Sequence, residues 1–298
     1  MSCPSILLRV ASRFAAIIGA LLLAMALGGC SAIKLGYATL PELAYWWLDG
    51  YVDFDDVQRL RVREDLARLH AWHRASELPR LLPLLQQAEQ LAPGDVSAEQ
   101  ACAFEAPVRE RIAALRDQAE PALTTTAITL SDAQLRHLER KYAQKNRDYA
   151  KEWIDIPRAE QADKRLKELL GRADTVYGSL TETQRTMLAR LVQGSAWNPS
   201  LLLAERRRRQ HDTLAVLRRL TAQPGPALHE ARQAVHELLE RYLTSPDPTF
   251  RAYVDVMRQE ACRITSALHN STSTAQRDFA ARRLRGWQRD IGELAAQQ

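Results

Sequence analysis

The sequence predicts an all-α fold: an elongated bundle of mostly antiparallel helices with no sheet. Three observations carry this. Ala, Leu, Arg, Glu and Gln dominate the 298 residues, and all are strong helix formers. Gly is scarce at 12 and aromatics make up only 6%, which argues against a turn-dense all-β chain and against Gly-rich phosphate-binding loops. Apolar residues recur at spacings of three and four through most of the chain, and nowhere in sustained alternation.

The first segment reads as an address. Arg9 and Arg13 form a short basic region, and Phe14 to Leu27 run fourteen positions without a charge. That is the length of a signal peptide and short of the roughly 20 apolar residues of a membrane span. The run ends in Leu27-Gly28-Gly29-Cys30, which looks like a bacterial lipobox. Small residues at 28 and 29 let a peptidase approach the backbone, and the Cys30 thiolate accepts the diacylglycerol. The organisation expected is a lipoprotein signal peptide over 1–29, a lipid-anchored segment over 30–52 and a helical periplasmic body over 53–298. Up to three acyl chains on Cys30 make a stable membrane anchor, since two already suffice. Ser31 points to the outer membrane, with the body facing the periplasm and the inner membrane as the alternative. Loss of Arg9 and Arg13 with the signal takes the formal charge from +5 to +3. An exported protein does not meet the genome, so nucleic acid is discarded as a partner despite the basic balance.

The body follows as a series of apolar stripes: Val57, Leu60, Leu66, Leu69 and Trp72; Leu135, Leu138, Tyr142, Tyr149 and Trp153; Ala162, Leu166, Leu169, Ala173 and Val176. Then come Leu228, Ala231, Val235, Leu238 and Tyr242; Phe250, Val254, Met257, Ala261, Ile264 and Leu268; and Ala280, Leu284, Trp287, Ile291 and Leu294. Pro93-Gly94, Gly178, Trp197-Asn198-Pro199, Pro224-Gly225-Pro226 and Pro246-Asp247-Pro248 mark the breaks. Pro79, Pro83, Pro107 and Pro121 start or kink helices.

A start signal repeats. Leu130-Ser131-Asp132-Ala133-Gln134 and, fifty positions on, Leu180-Thr181-Glu182-Thr183-Gln184 are both followed by Leu-x-Arg. Weaker copies stand at Ser97 to Gln100 and Ser273 to Gln276, and Thr39 to Glu42 is a looser variant. Each reads as a capping box, in which the hydroxyl accepts from an orphan N–H and the Gln reaches back to the cap residue.

The paired Leu-Ser/Thr-x-x-Gln boxes resemble those of the LTxxQ family of periplasmic stress proteins and chaperones, although this chain is much longer. A broader resemblance rests on Leu35-Gly36-Tyr37, Tyr45-Trp46-Trp47-Leu48-Asp49, Val62-Arg63, Trp72-His73-Arg74, Tyr142 to Asn146 and Arg283-Leu284-Arg285-Gly286-Trp287. These are similar to an uncharacterised family of proteobacterial lipoproteins. That resemblance implies an all-helical periplasmic body and supplies no activity.

With Cys3 in the signal and Cys30 acylated, only Cys102 and Cys262 remain, in an oxidising compartment. They are candidates to pair, with two buried unpaired thiols as the alternative. His70 and His73 stand at i and i+3, but metal sites need three or four ligands and no third is in register, so a cap or surface role near Trp72 is expected. His229 and His236, two turns apart, suggest no site. Asp53, Asp55 and Asp56 fit a helix start better than a calcium loop. No nucleophile or phosphate-loop motif is present, so no catalytic residue, metal ligand or cofactor is assigned. Tyr45, Trp46, Trp47 and Tyr51 are expected to seed the core, with one Trp near the lipid. Glu205 to Thr213 carry no apolar side chain, and Arg206, Arg207, Arg208 and Arg209 cover more than one turn. This predicts a solvated stretch, or a break, standing off the core, able to meet anionic lipid or an acidic protein. The expected role is a non-enzymatic structural or interaction module of the envelope. The alternatives are a chaperone-like binder of unfolded clients and, third, a cell-wall enzyme.

Overall fold

The computed structural model describes residues 29–223 and 225–297, with side chains from residue 33 onward. Residues 1–28, which include Leu27 and Gly28 and all but the last residue of the expected signal peptide, therefore lie outside the described residues, as does the side chain of Cys30. Every regular element among the described residues is a helix. In chain order they are α1 Gly29–Val52, α2 Asp56–Trp72, a π turn His73–Glu77, α3 Leu78–Leu91, α4 Ala98–Cys102, α5 Glu105–Ala127 and α6 Asp132–Trp153. They continue as α7 Arg158–Tyr177, α8 Glu182–Gln193, α9 Pro199–Leu220, α10 Leu228–Leu243, α11 Pro248–Asn270 and α12 Thr274–Ala296.

Local chemistry sets the ends. Asp55, Ser97, Ser131, Thr181 and Ser273 each accept from the N–H three residues on, and the Gln at that position returns the bond. Asn198 and Asp247 cap α9 and α11 just ahead of Pro199 and Pro248, whose missing N–H costs nothing in a first turn. Gly178 ends α7 at φ +74°, a left-handed turn that a side chain resists. Pro41 lies inside α1 and leaves the Tyr37 carbonyl without its helical donor. His70 Nε2 donates to that carbonyl at 3.0 Å, while the Tyr37 hydroxyl donates to His73 Nδ1 at 2.9 Å. The two histidines thus brace α1 from the end of α2 and the π turn, and His73 is the C-cap of α2, the cap role expected near Trp72. Burial holds both imidazoles below their usual pKa, so they are neutral at pH 7.

The helices pack as a run of neighbouring pairs. α1 pairs with α2 and lies on α6 and α12; α2 meets α5; α5 meets α10; α6 meets α9; and α9 meets α10. The largest core fills this part, around Leu135, Leu138, Leu217, Leu220, Ala231 and Val235. A second core joins α7, α8 and α11 around Leu188 and Leu268, and α12 crosses from α7 to run along α3. The 30–52 segment is not a loose tether, because Tyr37 and Tyr45 of α1 are buried in the body.

Three stripes and one cap are corrected, the first at Leu228, which faces solvent at the start of α10. Val57 and Leu60 face solvent, and α2 buries Gln58 and Val62 instead, because the cap at Asp55 turns Gln58 inward. Val254 and Ala261 are also exposed, while Cys262 takes the inner face of α11. Thr39 caps nothing: it sits mid-helix and its Oγ1 bonds back to the Leu35 and Gly36 carbonyls.

Candidate functional site

The capping boxes do more than start helices. Gln134 Nε2 donates to Gln58 Oε1 at 2.6 Å and to the Asp53 carbonyl at 2.9 Å, and Gln58 Nε2 donates to the Thr129 carbonyl at 2.9 Å. A second clasp repeats this with Gln184 and Gln276: their amides exchange bonds at 2.9 and 3.0 Å and reach the Ser271 and Ser179 carbonyls. In all four cases the carbonyl reached lies five residues before the partner Gln. Two helix starts are therefore locked head to head twice over, with Leu130 and Leu180 buried beside them. The boxes fifty residues apart do not meet each other. Gln134 finds the Asp55 box, which the sequence reading took only as an acidic cap.

Cys102 and Cys262 are joined, with Cα atoms 5.4 Å apart, tying the five-residue α4 to α11. The arginine run is corrected. It is continuous helix lying against the body, because Glu205, the residue just before it, is buried. Arg208 grips Glu205 with two bonds of 2.7 and 2.8 Å, Arg209 adds one of 2.7 Å, and Ser245 donates at 3.2 Å. Burial raises the Glu205 pKa, but the bonds from Arg208 and Arg209 outweigh it and hold the carboxyl below its usual range. Two of the four expected anion-binding side chains are thus spent on an internal carboxylate. Arg207 is exposed, and Arg206 lies with its guanidinium 4.4 Å from the Tyr149 ring centre.

Sequence reasoning also missed Glu120, a buried carboxylate of α5 held from α10 by Arg232 at 3.1 Å and His236 Nδ1 at 2.7 Å. The Glu-x₃-Arg spacing that pairs neighbours on one helix could not show a partner on another. Among the described residues, no group of three His, Cys, Asp or Glu side chains is placed to hold a metal ion.

Two surfaces stand out. The first is the outer face of α1. Tyr45 is 2% exposed, whereas Trp46 and Trp47 are each 63% exposed, so neither Trp enters the core. At about 100° per residue, Ile33, Leu35, Leu40, Leu43, Trp46 and Trp47 fall within an arc of about 160°. All six are exposed, and Lys34, Glu42 and Asp49 fall outside that arc. The inner arc is taken by Tyr37, Tyr45, Leu48 and Val52, which explains why the adjacent tryptophans point away. No described helix is long and apolar enough to cross a membrane.

The second is a cleft of about 940 Å³ among α1, α5, α6, α9, α10 and the start of α11, with Leu138, Tyr142, Leu217, Leu239 and Tyr242 in its walls. A smaller cleft of about 520 Å³ adjoins it and shares Leu48, Val52, Leu123, Ala127, Leu130 and Leu217. Burial pushes the Tyr142 hydroxyl well above the usual tyrosine range. Four cations line the larger cleft. Arg116 is held by Asp117 and Glu240, and Arg209 by Glu205. Lys145 and Arg206 meet no carboxylate among the described residues.

Neither a curated protein nor a solved structure matches the chain. A family of unknown function, DUF6279, matches residues 50–240, which hold the first clasp, the arginine run and most of the cleft wall. This match extends over well more than half of the sequence, and the chain belongs to that family.

Proposed function

We propose that the protein is an envelope lipoprotein, acylated at Cys30 and held on the outer membrane facing the periplasm, whose helical body acts as a non-enzymatic structural or interaction module. The observation that supports this reading best is the uncharged outer face of α1. Its helix begins beside the lipobox cysteine, and from Ile33 onward the face carries four exposed aliphatic side chains and two exposed tryptophans. A helix apolar on one face and packed on protein by the other suits a position in the plane of the bilayer surface, where Trp is favoured. The anchor supplies the proximity and the face supplies the orientation, so the body would rest on the membrane in one attitude.

Quenching by brominated lipids tests the orientation. In vesicles, the acylated protein should lose Trp fluorescence to lipids brominated near the headgroup. The double variant Trp46→Phe and Trp47→Phe should lose most of that quenching while its other tryptophans still emit. Quenching that is absent, or that persists in the double variant, contradicts a bilayer-facing α1.

A further inference from the structure

The cleft carries an inference independent of the membrane attitude. Its volume of about 940 Å³ matches the range of roughly 300–1,000 Å³ usual for small-molecule sites, and its walls are largely aliphatic and aromatic. Its two cations that meet no carboxylate lie beside one ring, that of Tyr149. Lys145 and Tyr149 are one turn apart on α6, and Arg206 of α9 lies over the Tyr149 ring. Two exposed cations that meet no carboxylate, beside an apolar cleft, complement a molecule with one anionic head and a long hydrocarbon chain.

We propose that this cleft binds a single-chain anionic amphiphile of the long-chain fatty acid type. Lys145 and Arg206 hold its carboxylate, and the apolar walls hold its chain. The occupant is not the protein's own anchor. Cys30 and Trp47 are seventeen residues apart on one continuous helix, which places about 26 Å of rigid axis between the acylation site and the cleft mouth. No covalent step is involved; binding exchanges the ligand's hydrated carboxylate for fixed donors.

The test uses the acylated full chain in nanodiscs with two photoreactive probes, a diazirine palmitic acid and the matching palmityl alcohol. Peptide mapping should place the acid probe on α6, α9 and α10 peptides. Lys145→Gln with Arg206→Gln changes two exposed side chains and should weaken acid-probe labelling about tenfold. Labelling by the alcohol should hardly change. Leu239→Trp fills the cleft and should abolish labelling by both, with circular dichroism confirming the fold. Acid and alcohol probes that label alike in both backgrounds would overturn the head-group assignment. Labelling elsewhere on the chain would overturn the site. Displacement of the probe by an unfolded protein, with no response to the charge changes, would mark a client cleft and overturn the lipid reading.

Discussion

Replacing Gln134 with Ala should destabilise the protein by about 2–4 kcal/mol, far more than a surface helix cap, which is worth about 1 kcal/mol. The side chain does three jobs at once. Its Oε1 accepts from the Ser131 N–H at 2.9 Å, and its Nε2 satisfies both Gln58 and the Asp53 carbonyl. Asp53 is itself held at φ +60°, and the turn it makes presents that carbonyl to Gln134. Removing the amide leaves buried groups on two helix starts without partners. Urea unfolding of single and double variants checks this. Gln58→Ala and Gln134→Ala should cost clearly less together than the sum of the two. Gln134→Ala and Gln276→Ala, in different clasps, should add within about 0.5 kcal/mol. Full additivity within the first clasp would refute the coupling.

Breaking the Cys102–Cys262 link should have an effect of similar or larger size. The cysteines are 160 residues apart, and closing a loop of that length removes about 5 kcal/mol of denatured-state entropy in the chain-entropy picture. The link also holds an element that cannot hold itself. α4 has five residues, far below the roughly 12–15 at which an isolated helix becomes marginal. Reduction, or Cys102→Ala with Cys262→Ala, should lower the urea midpoint sharply. It should also raise hydrogen exchange first over residues 95–104, between α3 and α5. Equal midpoints for the oxidised and reduced protein, or recovery of both thiols free from the native chain, would contradict the assignment.

How much of this was legible in the sequence depends on distance along the chain. The helix starts were legible because a box is complete within four residues: Ser131 and Gln134 carry their own reciprocal bond. Their pairing was not, because the partners stand 76 and 92 residues away and no local pattern encodes them. The Asp55 box is hidden in the sequence because Asp53, Asp55 and Asp56 fit a helix start by charge alone, without Gln58. The arginine run was misplaced for a similar reason. Counting turns shows that four successive arginines cannot share a face. It does not show that a buried Glu205, at i−3 from Arg208 and i−4 from Arg209, draws two of them inward. Trp46 and Trp47 are 100° apart, so one facing outward was foreseeable. That both do follows only from Tyr37, Tyr45, Leu48 and Val52 occupying the inner arc. The cleft had no sequence signature, since six helices contribute to its walls and its residues are spread from Trp47 to Phe250.

The account turns on the chain being held to a membrane at its lipobox cysteine. Intact-mass measurement of the native protein from the membrane fraction tests this most directly. The account predicts a mature chain beginning at Cys30 and carrying the added mass of a diacylglyceryl group, with or without a third acyl chain. A soluble chain, or a mature N-terminus at any other residue without acyl mass, would contradict it.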